Sequence, residues 1–364
     1  MAVTDVATEP PPTFRLAESS IERPKDLAVL RFPTIFGDPV PDVRPPATHP
    51  ESTGRRAALA AWATSPKNPL TARVIVNRLW QHYFDGGIVA TPSDFGGYGE
   101  APTNPELLDW LAAELVAAKW SLKHIHRLIA LSATYRQGSI PDHNPTVKEA
   151  RKADPNNRLL WHMTVKRREG EAIRDVSLQV AGALNLRAGG LSALVELPTA
   201  IAESRYAWTP DADPTDRNRR SIYTYNRRNL TLPLFKAFDA PSRNESCPTR
   251  VTTVTAEQGL AMLNGAFANE QARRTAGVLL KTRTDRSDIV TAAYRQIYGR
   301  APTSSELADG IAFLNEQSRL LMSEKPLETT LPEPRSTSVS AAEAAAVVDL
   351  VHALMNAAEF LYVE

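Results

Sequence analysis

Residues 68–115, NPLTARVIVNRLWQHYFDGGIVATPSDFGGYGEAPTNPELLDWLAAEL, decide the reading of this chain. Asn68-Pro69 is an N-cap signal with proline at the first helical position, and it opens a helix to about Phe84. Gly86-Gly87 stops that helix. A loop follows over Ile88 to Thr103, with the turn-rich stretch SDFGGYGE at its centre. Asn104-Pro105 repeats the cap signal, and Leu107, Leu108, Leu111 and Leu115 then recur at helical spacing. The pattern is helix, glycine-rich loop, helix.

The same signals continue outward. Arg55 to Trp62 reads as a short helix. Ser121 caps another, with Leu122, Ile125, Leu128, Ile129 and Ser132 facing inward and Lys123, His124 and Arg127 outward. A charged helix is expected from about Val165 to Leu184, and further helices over Glu257 to Leu280, Asp288 to Tyr298 and Ala341 to Phe360. Thr303 and Glu306 form a capping box ahead of one more. Ser221 to Asn226 (SIYTYN) alternates and is the best strand candidate, with a second short strand around Leu27 to Phe32. The expected fold is mainly α: a multi-helix globular unit with a small β-hairpin or short strands and long proline-rich loops. Residues 1–50 read as an extended Pro-rich lead-in, residues 51–364 as the helical domain, and 322–340 as a flexible excursion.

Composition narrows the function classes. Lys plus Arg total 42 against 41 for Asp plus Glu, a net charge of +1, so no global field draws the chain onto nucleic acid. No apolar run approaches the ~20 residues of a membrane helix, so no integral membrane segment is expected. Met1 to Pro12 has no basic and then apolar stretch of the signal-peptide kind. A single cysteine, Cys247, rules out an intramolecular disulfide, a C-x-x-C-H haem motif and cysteine-type zinc sites. No cofactor and no metal site is expected.

Several segments are long and unusual. They are residues 68–115 above, WSLKHIHRLIALSATYRQ (120–137), DPNNRLLW (154–161), EGEAIRD (169–175), RRSIY (219–223), the FDAP…SCPTRVTTV stretch (238–254) and LMNAAEFLYV (354–363). In this order they resemble the planctomycete PSD-one domain, a family of unknown function, over roughly residues 55–364. The chain departs from that pattern at Asn104, Arg168 and Thr224 to Asn226. The resemblance implies a C-terminal module of larger exported proteins, at the periplasm or cell surface. Such a module follows an upstream module, its probable partner, and often a c-type cytochrome domain.

Candidate chemistry gathers in a few places. In the SDFGGYGE loop, glycines permit close backbone approach, and Asp94 can bind a cation or act on a proton; the alternative is that Asp94 bonds loop amides while Phe95 plugs the core. Glu106 and Asp109 are further carboxylates for acid–base work. A His plus carboxylate site could use His82, His126, Asp94 or Glu106; the alternative is polar or partly buried histidines bonded to their neighbours. On the charged helix, Arg168–Glu171 and Glu171–Arg174 stand at i,i+3 spacing and read as a solvated ladder or an interhelical network. Arg136, Arg174, Arg220 and Arg250 are the candidates for an anionic ligand, among other arginines at 219, 227 and 228. Trp80, Tyr83, Phe84, Trp110 and Trp120 read as core. No nucleophile elbow, P-loop or dinucleotide fingerprint is present.

Three functions follow. The leading one is a non-enzymatic interaction or scaffold domain. The second is an enzyme on an anionic polysaccharide using Asp94 and nearby carboxylates, and the third an accessory to a cytochrome electron-transfer protein. Convergence of the carboxylates, histidines and arginines on one cleft separates the enzyme from the scaffold.

Overall fold

The computed structural model describes residues 5, 8–17, 20–36, 40–139, 145–324 and 326–363; parts of the expected lead-in fall outside them. The fold is mainly α, with two small antiparallel two-stranded sheets among the described residues. By contact density the chain divides into two compact units, residues 1–164 and 165–364.

The first unit opens with an irregular hairpin of β1 (Phe14–Ala17) and β2 (Ser20–Leu27), paired Phe14 to Leu27 and Ala17 to Ser20. The strand expected at Leu27 to Phe32 is therefore misplaced. Those residues run on from the hairpin, and Phe32 leaves it to stack on Trp62 with ring centres 4.7 Å apart. Trp62 belongs to α1 (Arg55–Ala63).

α2 (Thr71–Phe84), α3 (Pro105–Ala117) and α4 (Leu122–Ala130) form the helical core of this unit. Val76, Leu115 and Ile125 are fully buried at its centre. α2 starts two residues later than its cap signal implies, because Asn68 accepts from the amides of Leu70 and Thr71 in a turn. At α3 the signal is met: the Asn104 side chain accepts from the Leu107 amide at 3.0 Å. Trp110, read as core, is half exposed, and Leu122 is exposed as well. The cores of α3 and α4 are filled by Leu108, Leu111, Leu115, Ile125 and Ile129, which leaves those two side chains on the outer faces. α5 (Pro145–Ala153) leads into a compact turn over residues 154–164.

In the second unit, β3 (Lys166–Arg167) pairs with β4 (Tyr362–Val363), so the two ends of the unit meet. The charged helix is shorter than expected, α6 (Gly170–Val180). Its first expected turn is taken by β3 instead. A long irregular segment follows, carrying α7 (Thr199–Ala202), α8 (Pro214–Arg217) and α9 (Pro233–Ala237).

The expected strand at 221–226 is a 3-10 turn over Ser221–Tyr223 followed by one parallel bridge, Thr224 to Ala193. The residues buried there, Ser221 and Thr224, stand three apart as the turn requires and are anchored by hydrogen bonds, not by a sheet. The helix expected over 257–280 is two, α10 (Ala256–Asn264) and α11 (Ala266–Leu280), broken at Gly265.

α12 (Arg286–Tyr298), α13 (Ser304–Glu324) and α14 (Ala341–Asn356) complete a bundle around Ala272, Ala276, Ala346, Val351 and Met355. Small residues on α11 and α14 let the two helices approach closely. The capping box at Thr303 and Glu306 forms in both directions. In the 322–340 excursion, Leu331 is buried and its carbonyl accepts from Arg273 of α11 at 2.6 Å. α15 (Ala358–Leu361) closes the unit, with Phe360 fully buried.

Candidate functional site

The loop between α2 and α3 is pinned from below by Asn77. This α2 residue is fully buried, and its carboxamide pairs with both backbone groups of Val89, donating at 3.0 Å and accepting at 2.8 Å. It completes a peptide group inside the core, where an unpaired one is costly. Gly87 is required beside it, since a Cβ there would meet the Val89 carbonyl and the Asn77 carboxamide. Gly99 packs equally close on the Asp94 carbonyl.

The top of the loop is bonded to itself. The Asp94 carboxylate accepts from the Gly96 amide at 2.8 Å, and the Asp94 carbonyl accepts from the Thr91 hydroxyl at 2.7 Å. Phe95 packs on the core of α2–α4. Tyr98 is fully exposed. Glu100 accepts from Arg158 of the 154–164 turn at 3.0 Å.

The other candidates of this unit stand apart from Asp94. Asp109 pairs with Arg73 at 2.6 Å, and that hydrogen bond holds its carboxyl below the usual range. Glu106 is exposed in the first turn of α3. His126 shares a 2.9 Å hydrogen bond with the Tyr83 hydroxyl, whose own pKa burial pushes up. His82 is exposed on α2, and Arg136 reaches back to the Ser132 carbonyl. None of Asp94, Glu106, Asp109, His82, His126 or Arg136 lines the unit's main cleft.

That cleft, about 400 Å3, opens beside the end of α2 and the start of α3. Trp80 and Phe84 line it on one side, Thr103 and Asn104 on another, and Asn156 to Leu160 on the third. Asp154 builds the third wall by accepting from the amides of Arg158 and Leu159, at 2.9 and 2.8 Å. Sequence reasoning named Trp80 and Phe84 as core, Asn104 as a cap and DPNNRLLW as a family-like segment, and gave none of them a site role. The one available signal was the turn chemistry of DPNN, two asparagines after an aspartate and a proline.

In the second unit the arginines do converge, on α6. Arg174 is buried and donates to the carbonyls of Arg217 (2.6 Å) and Arg219 (2.9 Å) and to the Ser221 hydroxyl. Burial lowers its pKa, against the pull of Asp175 and Glu196. Asp175 in turn accepts from the Ser221 amide and hydroxyl, both at 2.7 Å, and lies 3.7 Å from Arg220.

Arg250 forks onto Glu171 at 2.9 and 3.1 Å, with Glu169 at 3.2 Å. Burial pushes the Glu171 carboxyl up, but the Arg250 hydrogen bonds and charge bring it net below its ordinary value. Arg168 instead caps the Phe360 carbonyl. Of the two expected arrangements, an i,i+3 ladder or a wider network, the structure forms the second: the partners come from distant segments, which partly cover this face of α6.

Among the described residues no group of three or more His, Cys, Asp or Glu is placed to hold a metal ion, and no helix is long and apolar enough to cross a membrane. Fold and site together define a helical module whose charged groups serve mainly its own architecture. The family described as PSD1, protein of unknown function (DUF1553), matches residues 55–314, and the chain belongs to it. No curated protein and no solved structure matches the chain.

Proposed function

We propose that the chain is a non-enzymatic interaction module, and that it docks an upstream module of larger exported proteins of planctomycete type. The observation that carries this reading is the apolar surface of the first unit's N-terminal segment. Ile21 and Ile35 are each 85% exposed, with Val29, Leu27 and Val40 also open to solvent. A shallow apolar groove lies alongside, lined by Phe36, Trp62, Leu70, Val74 and Ile75. Exposed apolar side chains concentrated in one segment mark interaction surfaces more often than catalytic ones. Of the candidate acids and arginines, Asp94, Asp109, Arg136, Arg174, Arg220 and Arg250 are by contrast engaged by neighbours within their own units. The same proteins are expected to carry c-type cytochrome domains elsewhere, as the resemblance implies, with the haem chemistry residing there.

The test mixes the full chain with a purified upstream module from a family protein and measures association by calorimetry. Binding at tens of micromolar, about 6 to 7 kcal/mol, is expected. The double variant Ile21→Glu, Ile35→Glu should weaken it at least tenfold with an unchanged melting temperature. No association at about 100 µM, or association indifferent to that variant, sinks the reading.

A further inference from the structure

The cleft at the end of α2 has properties that the interaction reading does not use. Its volume, about 400 Å3, falls within the ~300–1,000 Å3 range of small-molecule sites. Its backbone is also strained. Of six described non-glycine residues with positive φ, Asp85 (65°), Asn157 (51°) and Leu160 (53°) all line it. A leucine in that region is disfavoured because its Cβ crowds the backbone, and such residues cluster at ligand sites. Here the strain is held by the Asn157 carboxamide, which donates to the His162 carbonyl at 2.9 Å and to the Thr164 hydroxyl at 3.2 Å.

The lining specifies a ligand chemistry. Its two charged residues, Asp85 and Arg158, are of opposite sign, and Arg158 is already paired with Glu100. An anion would meet Asp85 and compete with Glu100; a cation would find a single carboxylate. A neutral ligand avoids both costs.

The remaining polar groups are carboxamides and hydroxyls, which donate and accept at once. Among the described residues, no hydrogen bond engages the Asn156 carboxamide or the Thr134 hydroxyl, and the Asn104 carboxamide spends only its oxygen, on the α3 cap. Trp80 and Phe84, core residues 9% and 3% exposed with ring centres 4.4 Å apart, give the cleft its apolar side. Hydroxyl groups with both hydrogen-bonding senses, next to apolar C–H faces, are the features of a sugar ring.

We infer that this cleft binds an uncharged saccharide, one or two sugar units in size, through Asn104, Asn156 and Thr134 against the Trp80–Phe84 side. No reaction is implied, because no acid–base pair lines it.

The experiment uses the full chain, with saturation-transfer NMR and calorimetry against maltose, cellobiose and N,N′-diacetylchitobiose, each to about 10 mM. Sodium sulfate at the same concentration is the anion arm. Saturable binding of at least one sugar is expected, with none for sulfate. Asn156→Ala and Thr134→Val should each weaken it about fivefold to tenfold, the loss of one hydrogen bond. Ala90→Trp, which fills the cleft from its exposed rim, should abolish it. If Ala90→Trp misfolds, the two milder variants carry the test alone. Absence of saturable binding by all three sugars overturns the inference. So does sugar binding unchanged in Asn156→Ala and Thr134→Val, or sulfate binding that displaces the sugar.

Discussion

The cleft beside α2 and the network around α6 are both dense in polar side chains, and they use them in opposite ways. Around α6, Arg174, Asp175, Glu171 and Arg250 have their hydrogen-bonding capacity taken up by carbonyls, hydroxyls and each other. In the cleft, Asn156 and Thr134 present theirs to open space. Buried charges have to be satisfied internally because burial removes their water. Exposed carboxamides carry no such requirement and stay available to a ligand. The charged run of α6, which reads from sequence as a ladder or a network, is engaged by its neighbours. The turn over residues 154–160 leaves the Asn156 carboxamide open.

The largest effect that can break this comparison is expected at Arg174. Arg174→Ala leaves two carbonyls and the Ser221 hydroxyl without their donor, beside the buried Arg219 and Ser221. A loss of about 3 kcal/mol or more is expected in urea unfolding. A loss below about 1 kcal/mol would mean the network is not structural, and would return it to the list of ligand sites.

A smaller and pH-dependent effect is expected at Glu171. Its folded pKa lies below the ordinary 4.5, so its pair with Arg250 stabilises the protein fully above that pH. The contribution is lost as pH falls below 4.5 and through the folded value. At pH 7 Glu171→Gln should cost about 1 kcal/mol, discounted for a pair that is partly exposed. The difference from the parent should shrink at a pH well below 4.5. A cost that is equal at both pH values would trace to packing and not to charge.

The smallest effect sharpens the contrast from the other side. Asp94 accepts one loop amide in a partly exposed position. Asp94→Asn keeps an oxygen acceptor and should shift stability by less than about 0.5 kcal/mol. If Asp94 is nonetheless the function-sensitive residue of the loop, this variant changes partner association at constant melting temperature. A large stability loss would make the residue purely structural.

Helix positions were legible because the signals that set them are local. The Asn104 cap and the Thr303–Glu306 box each act over three residues, and the leucine spacing of α3 is read within four turns. Strands and sites were not legible in the same way. SIYTYN has the alternation of a strand, yet Ser221 is claimed by Asp175, 46 positions earlier in the chain, and Thr224 turns back onto the Ser221 carbonyl. Trp110 has the size of a core residue but sits half exposed on the outer face of α3.

The sequence by itself determined the mainly α class, the caps at Asn104 and Thr303, the loop between α2 and α3 and the family. Tertiary structure alone decided which polar groups are used up. Glu171 meets Arg250 across 79 residues and Arg174 meets the Arg219 carbonyl across 45, distances over which no periodicity or capping signal carries information. Only folding brings those partners together. The groups it leaves unpaired, at Asn156 and Thr134, are recognisable only once the rest are accounted for.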